Sequence, residues 1–139
     1  MTPIYAQDHD YSKYNVLAVD DIPLNLLLVQ KMLSRFNFKL RTASSGQQAL
    51  DAVAELKPDL ILLDLMMPGI DGFEVIRRLR DNPATSDIQI VILSALNSNE
   101  DVVKGFNVGA DDFIMKPIIM EKLLTCVVNQ LQIADAKNK

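Results

Sequence analysis

The chain has 139 residues, a formal net charge of −4 and an apolar fraction of 49%, which together predict one globular domain with a full core. The negative charge argues against nucleic-acid binding, because a nucleic-acid site needs a basic surface. No apolar run is long enough to span a bilayer, and the first ten residues lack the features of a secretory signal. We therefore expect a soluble, cytoplasmic protein with no membrane partner. Its single cysteine, Cys126, is expected to be a buried structural thiol.

Short apolar runs define the predicted strands. Residues 1–14 are polar and aperiodic, and we predict that they form a flexible N-terminal extension. The five strands that follow are predicted at Val16–Asp20, Lys39–Thr42, Leu60–Asp64, Ile88–Leu93 and Asp112–Met115. Three of these runs are almost wholly apolar, which is typical of strands covered on both faces of a parallel sheet.

Amphipathic segments between and after these strands predict five helices. Each begins at a proline, which is tolerated in an opening turn, or at a residue able to cap the first turn. The start signals are Pro23, Ser45, Asp71, Ser98 and Pro117. Residues 15–133 then form a single domain of five β–α units, with a C-terminal tail over 134–139. Strict alternation predicts an α/β fold, an open parallel sheet with helices on both faces.

The informative polar residues follow the strands at their carboxyl ends. Asp20 and Asp21 close the first strand, Asp64 closes the third, Ser94 follows the fourth and Lys116 follows the fifth. Ligands bind open α/β sheets at this edge, where the strand order reverses. In a 2-1-3-4-5 order that point lies between the first and third strands, so the three carboxylates are predicted to form one acidic pocket.

The chemistry of this pocket points to phosphoryl transfer. A lone aspartate at a strand end usually caps a turn or helix, and Asp21 could cap the helix at Pro23. Three clustered carboxylates repel one another, however, and an oxygen-only cluster favours Mg²⁺, with Mn²⁺ as a substitute. Lys116 adds a second positive charge, and aspartate is an established nucleophile in forming aspartyl phosphates. Asp64 is therefore the predicted phosphoacceptor, and a turn after it could direct the Met66 carbonyl toward the metal.

Four segments of the chain resemble the motifs of bacterial response-regulator receiver domains. They read VLAVDDIPLN, DLILLDLMMPGIDGFEVIRRLR, IVILSAL and GADDFIMKP, and the resemblance covers about residues 14–133. It implies a flavodoxin-like (βα)₅ doubly wound sheet of order 2-1-3-4-5. It also implies that Asp64 receives a phosphoryl group from a histidine kinase or a histidine phosphotransfer protein.

The same resemblance assigns roles to the other site residues. Asp21, Asp64 and the Met66 carbonyl would bind Mg²⁺ directly, and Asp20 would bind it through a water molecule. The phosphoryl group would contact Ser94 and Lys116.

A conformational switch is also implied by the resemblance. Ser94 would move toward the phosphoryl group on activation, and Phe113 stands at the family's switch aromatic. Alternatively, Phe113 only packs within the strand. Met66 and Leu96 flank the approach of an attacking water and neither can orient it, so we predict slow self-dephosphorylation.

Two other classes of protein fit the sequence less well. A phosphohydrolase of the haloacid-dehalogenase type needs a second acid where Met66 stands. A dinucleotide-binding domain needs a G-x-G-x-x-G motif after the first strand, where the chain instead reads DDIP from Asp20. A receiver that only serves as a scaffold would lack an acid or the lysine, and none is missing. We therefore expect a signalling domain rather than an enzyme.

The output of such a domain is less well determined by the sequence. The chain is either a single-domain regulator or a receiver from a longer protein, such as a hybrid kinase. A downstream protein target is expected on the face formed by helix 4, strand 5 and helix 5, where Met120 and Leu124 are candidates for partly exposed apolar residues; core packing is the commoner alternative for such side chains. The first helix and the turn after strand 5 are expected to meet the kinase. The oligomeric state is expected to be a monomer or a weak, phosphorylation-dependent dimer.

Overall fold

The computed structural model describes residues 11–96 and 98–137. Its strands are β1 (Asn15–Val19), β2 (Lys39–Ala43), β3 (Leu60–Leu63), β4 (Gln89–Ser94) and β5 (Asp112–Met115). Its helices are α1 (Pro23–Leu33), α2 (Gly46–Glu55), α3 (Gly72–Asp81), α4 (Asn99–Val108) and α5 (Met120–Lys137). Every predicted strand is confirmed to within one residue at each end.

The strands form one parallel sheet in the order β2-β1-β3-β4-β5. In the central pair, Val16 of β1 is aligned with Leu60 of β3, and Val19 is aligned with Leu63. The two strands therefore end side by side, and the residues that follow them emerge at the same edge. This arrangement confirms the predicted flavodoxin-like doubly wound sheet and its switch point between β1 and β3.

Alternation along the central strands divides the core into two apolar layers. Val16 and Ala18 of β1 pack in one layer with apolar residues of α1 and α5. Leu17 and Val19 pack in the other layer with apolar residues of α2 and α3. Because successive side chains of a strand point to opposite faces, helices on both sides bury every residue of β3. The polar residues beyond the strand ends thus stand on a rigid platform.

Helix starts follow the side-chain chemistry that the sequence predicts. An oxygen of the residue preceding the helix accepts a hydrogen bond from a backbone N–H of the first turn in α2, α3 and α4. The capping residues are Ser45, Asp71 and Ser98. Helix α1 starts differently, because Ile22 precedes Pro23 and supplies no side-chain cap. The alternative interpretation of Asp21 as the cap of this helix is therefore wrong.

Both ends of the chain differ from the sequence prediction. Residues 1–10 lie outside the described residues, but Tyr11 and Tyr14 are buried in the core. The Tyr14 hydroxyl donates a hydrogen bond to Asp135 in the last turns of α5. Packing thus begins before residue 15. The sequence did not predict it, because two aromatic side chains in a polar, aperiodic segment produce no hydrophobic pattern.

Helix α5 is longer and more buried than the sequence indicates. It continues to Lys137 with Ala134 buried, so the tail predicted over 134–139 begins too early in the chain. Leu124 is fully buried, so core packing is the correct alternative for it, whereas Met120 is 44% exposed, as the target surface requires. Cys126 is buried, as predicted. The helix buries more than one face because it packs on the sheet and also contacts α1.

Candidate functional site

Three carboxylates meet at the carboxyl edge of the two central strands. Asp20 follows β1 and Asp64 follows β3, and their backbone N–H groups donate to the carbonyls of Ala43 and Val19 at 3.2 and 3.0 Å. One carboxylate oxygen from each of Asp20, Asp21 and Asp64 lies within 4.8 Å of the others. Asp20 and Asp64 are buried and Asp21 is half-buried. The predicted acidic pocket is thus present and is fixed by the sheet ladder.

Lys116 reaches the same pocket from the end of β5. Its Nζ lies 2.9 Å from Oδ2 of Asp20 and 3.8 Å from Oδ2 of Asp64. Its backbone N–H donates to the Ser94 carbonyl at 2.8 Å, which ties the residue to the end of β4. The peptide bond that follows Lys116 is cis. One ammonium group facing three carboxylates leaves the pocket net negative, so it attracts a further cation.

Burial raises the pKa of the Asp64 carboxyl above its ordinary value. Lys116 opposes this effect, the neighbouring Asp20 charge adds to it, and the N–H groups of Met66 and Leu65 lower the pKa. The ionised form of the Asp64 carboxyl is therefore less stable in the metal-free pocket than in water. A cation bound beside Asp64 would remove that penalty.

The donor set suits a hard divalent cation. Carboxylate oxygens are the only side-chain ligands in the cluster, and no histidine or cysteine belongs to it. Mg²⁺ prefers oxygen ligands, takes few protein carboxylates and retains several waters. Within the described residues no second group of three such side chains is found. The acidic pocket therefore fits Mg²⁺ by the chemistry and the spacing of its donors.

Ser94 and Phe113 occupy the two strands beside this pocket. Ser94 is fully buried at the end of β4, and its hydroxyl accepts a hydrogen bond from the Leu96 N–H at 3.1 Å. Phe113 is half-buried in β5 and packs in the layer that contains α2 and α3. Its ring also lies against Gly105 of α4, since a methyl group on that glycine would be 3.3 Å from the ring. Phe113 thus links β5 to α4.

Met66 and Leu96 line one shallow depression next to Asp64. The Met66 side chain is 58% exposed, and its backbone N–H lies 3.5 Å from Oδ1 of Asp64. The phenyl ring of Phe73 forms part of the same depression. Asp71 also borders this depression, and its other lining side chains are apolar. Neither Met66 nor Leu96, the predicted flanking residues, carries a group able to orient water.

A deeper apolar cavity lies on the other side of Asp20, and the sequence did not predict it. Its volume is about 300 Å³, and it lies between α1 and the segment after β5. Asp20 and Lys116 form its polar end, while its walls include Val29, Met32 and Ile118. The amphipathic pattern of α1 predicts a helix with an apolar face, but periodicity cannot show a gap between that helix and a distant segment.

Comparison with known proteins agrees with this geometry. The family model of the response regulator receiver domain matches residues 16–128. The chain is 45% identical over 103 residues to the response regulator PleD of Caulobacter vibrioides, which is 74% of this chain and 23% of PleD. It is 42% identical over 123 residues to the DNA-binding response regulator MtrA of Mycolicibacterium smegmatis, which is 88% of this chain and 53% of MtrA. The chain belongs to the response-regulator receiver-domain family.

A solved structure supports the same assignment. The chemotaxis protein CheY4 of Vibrio cholerae matches with a TM-score of 0.78 at 30% identity, over 84% of this chain and 97% of that one. The chain thus spans nearly all of a CheY-like structure, but only about a quarter to a half of the two curated relatives. In the described part of the chain, none of the helices has the length and apolarity needed to cross a membrane. The chain is accordingly a receiver domain of two-component response regulators, a class of signalling domain.

Proposed function

We propose that this receiver domain accepts a phosphoryl group on Asp64 in a reaction that requires Mg²⁺, and that the phosphorylated form signals to a partner protein. The observation that carries the proposal is the meeting of three carboxylates and Lys116 at one sheet edge. No ordinary structural role explains three buried or half-buried carboxylates around a single ammonium group, because their repulsion destabilises the fold. A transient anion and a bound cation account for all four side chains.

Asp64 is the nucleophile in this proposal. One of its carboxylate oxygens attacks the phosphorus atom of a phosphohistidine on a kinase or phosphotransfer protein. A phosphorus–oxygen bond forms as the phosphorus–nitrogen bond breaks, and the leaving imidazole keeps the electron pair and takes up a proton. Lys116, 3.8 Å from Oδ2 of Asp64, is placed to balance the charge on the transferred group.

The proposal includes the metal ligands that the resemblance to receiver domains implies. Asp21, Asp64 and the Met66 carbonyl would hold Mg²⁺ directly, with Asp20 acting through a water molecule; Mn²⁺ is the expected substitute. When bound, the cation would neutralise negative charge on the oxygens of the phosphoryl group while that group is transferred from the donor to Asp64. Asp20 keeps a second role, because its Oδ2 accepts a hydrogen bond from Lys116 at 2.9 Å and so holds that ammonium group in the pocket.

Signalling would follow from rearrangement around Ser94 and Phe113. Phe113 lies against Gly105, the only buried residue of α4, and Val103 and Phe106 of that helix are exposed. Met115 of β5 is also exposed. An apolar surface on α4, β5 and α5 is therefore available for a protein target. In this proposal the domain is cytoplasmic and binds no nucleic acid itself. It works either alone or as part of a longer regulator.

A different apolar surface is available for the phosphoryl donor. Leu24 and Leu27 of α1 are exposed, as is Ile119 in the segment that follows β5. These residues belong to the two elements that flank Asp20 and Lys116. A kinase or phosphotransfer protein docked on them would present its phosphohistidine at the carboxyl edge, which separates the donor surface from the target surface.

Incubation with acetyl phosphate and Mg²⁺, followed by intact-mass measurement, tests the phosphoacceptor. We expect the parent protein to gain the mass of one phosphoryl group and the Asp64→Asn variant to gain none. Asp71→Asn is a matched control, because Asp71 is an exposed cap of α3 outside the acidic cluster, and it is expected to be phosphorylated like the parent. A mass gain that persists in Asp64→Asn, or that forms equally well in the presence of a chelator, would contradict the proposal.

A further inference from the structure

The segment that follows Asp64 alternates between buried and exposed residues. It comprises residues 65–71, called here the β3–α3 loop, and it carries the Met66 carbonyl assigned above to the metal. Met66, Pro68 and Gly69 are exposed. Gly69 adopts a left-handed backbone conformation, with φ of 76°. Leu65 and Met67 are buried, so these two side chains, together with the contacts of the loop with α2 and α3, position the exposed residues relative to Asp64.

The C-terminal end of the loop folds back on its first residue. The Gly72 N–H donates to the Leu65 carbonyl at 3.0 Å. A methyl group on Gly72 would lie 2.5 Å from the Asp64 carbonyl oxygen and 2.8 Å from Cα of Leu65. Such distances are not tolerated between these atom types, so the close return of the chain requires glycine here. The start of α3 is thus fixed directly against the phosphoacceptor residue.

The first turn of α2 fixes the loop at a second point. Gly46 is buried, and a methyl group on it would lie 2.4 Å from the Ile70 carbonyl oxygen and 2.9 Å from Cβ of Ile70. The contact involves the backbone of Ile70, so no change of side-chain rotamer could relieve it. Helix α2 therefore touches the loop backbone two residues before the return at Gly72.

We propose that Gly46 is a positioning residue for the magnesium site: by admitting the Ile70 backbone, it sets the path of the β3–α3 loop and hence the place of the Met66 carbonyl. This inference rests on the proposed function, since it concerns the same metal. It adds a residue from another helix, which touches none of the reacting groups.

The loop, rather than α2, yields when a side chain is added at position 46. Helix α2 is anchored by Ala49 and Val53 in the core, and its first turn is capped by Ser45. The loop has only Ile70 in partial contact with that core beside the buried Leu65 and Met67. Because Gly72 holds the loop's end, displacement at Ile70 passes back along the chain toward Met67, whose backbone N–H belongs to the same peptide unit as the Met66 carbonyl.

Calorimetric titration with Mg²⁺ alone, without any phosphoryl donor, tests this role. We expect Gly46→Ala to weaken Mg²⁺ binding about tenfold, which corresponds to about 1.4 kcal/mol. Alanine is a better helix former than glycine, so intrinsic helix propensity cannot cause the loss. Ile70→Ala should bind within twofold of the parent, and the double variant should remain weak, because the clash involves atoms that both side chains retain.

Gly109→Ala provides the matched control. It also introduces a methyl group at a tight glycine, 2.7 Å from the Arg80 side chain and at a φ of 122°, but at the C-terminus of α4. We expect it to lower the thermal midpoint and leave Mg²⁺ affinity within twofold. Unchanged affinity in a folded Gly46→Ala protein would overturn the inference.

Amide NMR of the parent protein covers the case in which Gly46→Ala does not fold. On addition of Mg²⁺, the amide resonances of Gly46 and Ile70 are expected to shift along with that of Asp64. The amide resonance of Gly109 is expected to remain unchanged. A shift confined to the aspartates would also overturn the inference. If the parent binds no Mg²⁺, the proposed metal site itself fails; normal Mg²⁺ binding with an unaffected Gly46 defeats only the present inference.

Discussion

The two edges of the sheet differ in whether their charged and polar side chains are fully paired. At the amino edge, polar groups are paired with one another, as when Asp59 accepts a hydrogen bond from the Asn15 N–H at 2.8 Å. At the carboxyl edge, three carboxylates share Lys116, and the pocket keeps a net negative charge. The first arrangement is complete without a ligand and the second is not. The side chains of the amino edge therefore stabilise the fold, whereas the fold holds those of the carboxyl edge in position for chemistry.

Arg80 shows how complete the amino edge is. Its Nε donates to the Gly109 carbonyl at 2.9 Å, one Nη donates to the Ile88 carbonyl at 2.6 Å, and the other pairs with Asp111 at 3.0 Å. The same Asp111 oxygen accepts from the Ile90 N–H at 2.7 Å. This one side chain therefore ties α3 to the C-terminus of α4 and to the segments that enter β4 and β5.

The largest expected effect on stability comes from breaking this network. Arg80→Met should lower the free energy of unfolding by about 3 kcal/mol, because it removes the donor to the Gly109 and Ile88 carbonyls and the cation beside Asp111, which keeps only its hydrogen bond from the Ile90 N–H. The loss should be the same with and without Mg²⁺, as measured by urea unfolding. Arg77→Met is the control: Arg77 pairs with Glu74 on the exposed face of the same helix and should have little effect. A loss at Arg80 that matches the control would contradict the comparison.

Replacement of the carboxyl-edge lysine should give a smaller effect that depends on the metal. Lys116→Met removes the partner of the buried Asp20 and should cost about 2 kcal/mol in metal-free buffer. Saturating Mg²⁺ should reduce that loss, because the cation replaces part of the missing positive charge beside Asp64. Unfolding curves at several Mg²⁺ concentrations provide the measurement. If Lys116→Met and Arg80→Met respond identically to Mg²⁺, the proposed difference between the edges is wrong.

The smallest expected effect concerns how long the phosphoryl group survives. Leu96→Gln places a side chain that can orient water in the depression beside Asp64, and it should speed decay of the phosphorylated protein about tenfold, a barrier change of about 1.4 kcal/mol. Leu56→Gln, at an exposed position after α2, should decay like the parent. Decay in the parent that equals or exceeds that of Leu96→Gln would contradict the slow self-dephosphorylation predicted from the sequence.

The carboxyl edge was predictable from the sequence because each of its residues is marked by the apolar run that precedes it. Each acid directly follows an apolar run, and strand alternation brings the ends of those runs to one edge. Lys116 could be placed for the same reason, since it follows β5. No comparison of distant segments was needed to bring Asp20, Asp21 and Asp64 together, only the order of the strands.

The contacts that hold the loops were not predictable, because they join segments with no shared pattern. Nothing in the sequence near Gly46 indicates Ile70, and nothing near Arg80 indicates Gly109. Tyr11 was assigned to a flexible extension for a similar reason: its burial depends on the rings of Phe36 and Phe38, to which no periodicity refers. Periodicity reports which face of an element is apolar, whereas the identity of the covering residue is decided by tertiary packing.

Chemical mapping of the phosphorylated residue tests the central claim most directly. The protein is treated with acetyl phosphate and Mg²⁺, the acyl phosphate is reduced with borohydride, and the peptides are sequenced by mass spectrometry to locate the resulting homoserine. Our account predicts homoserine at position 64 alone and none when Mg²⁺ is removed by a chelator. Homoserine at Asp20 or Asp21, or labelling at Asp64 that is independent of the cation, would contradict it.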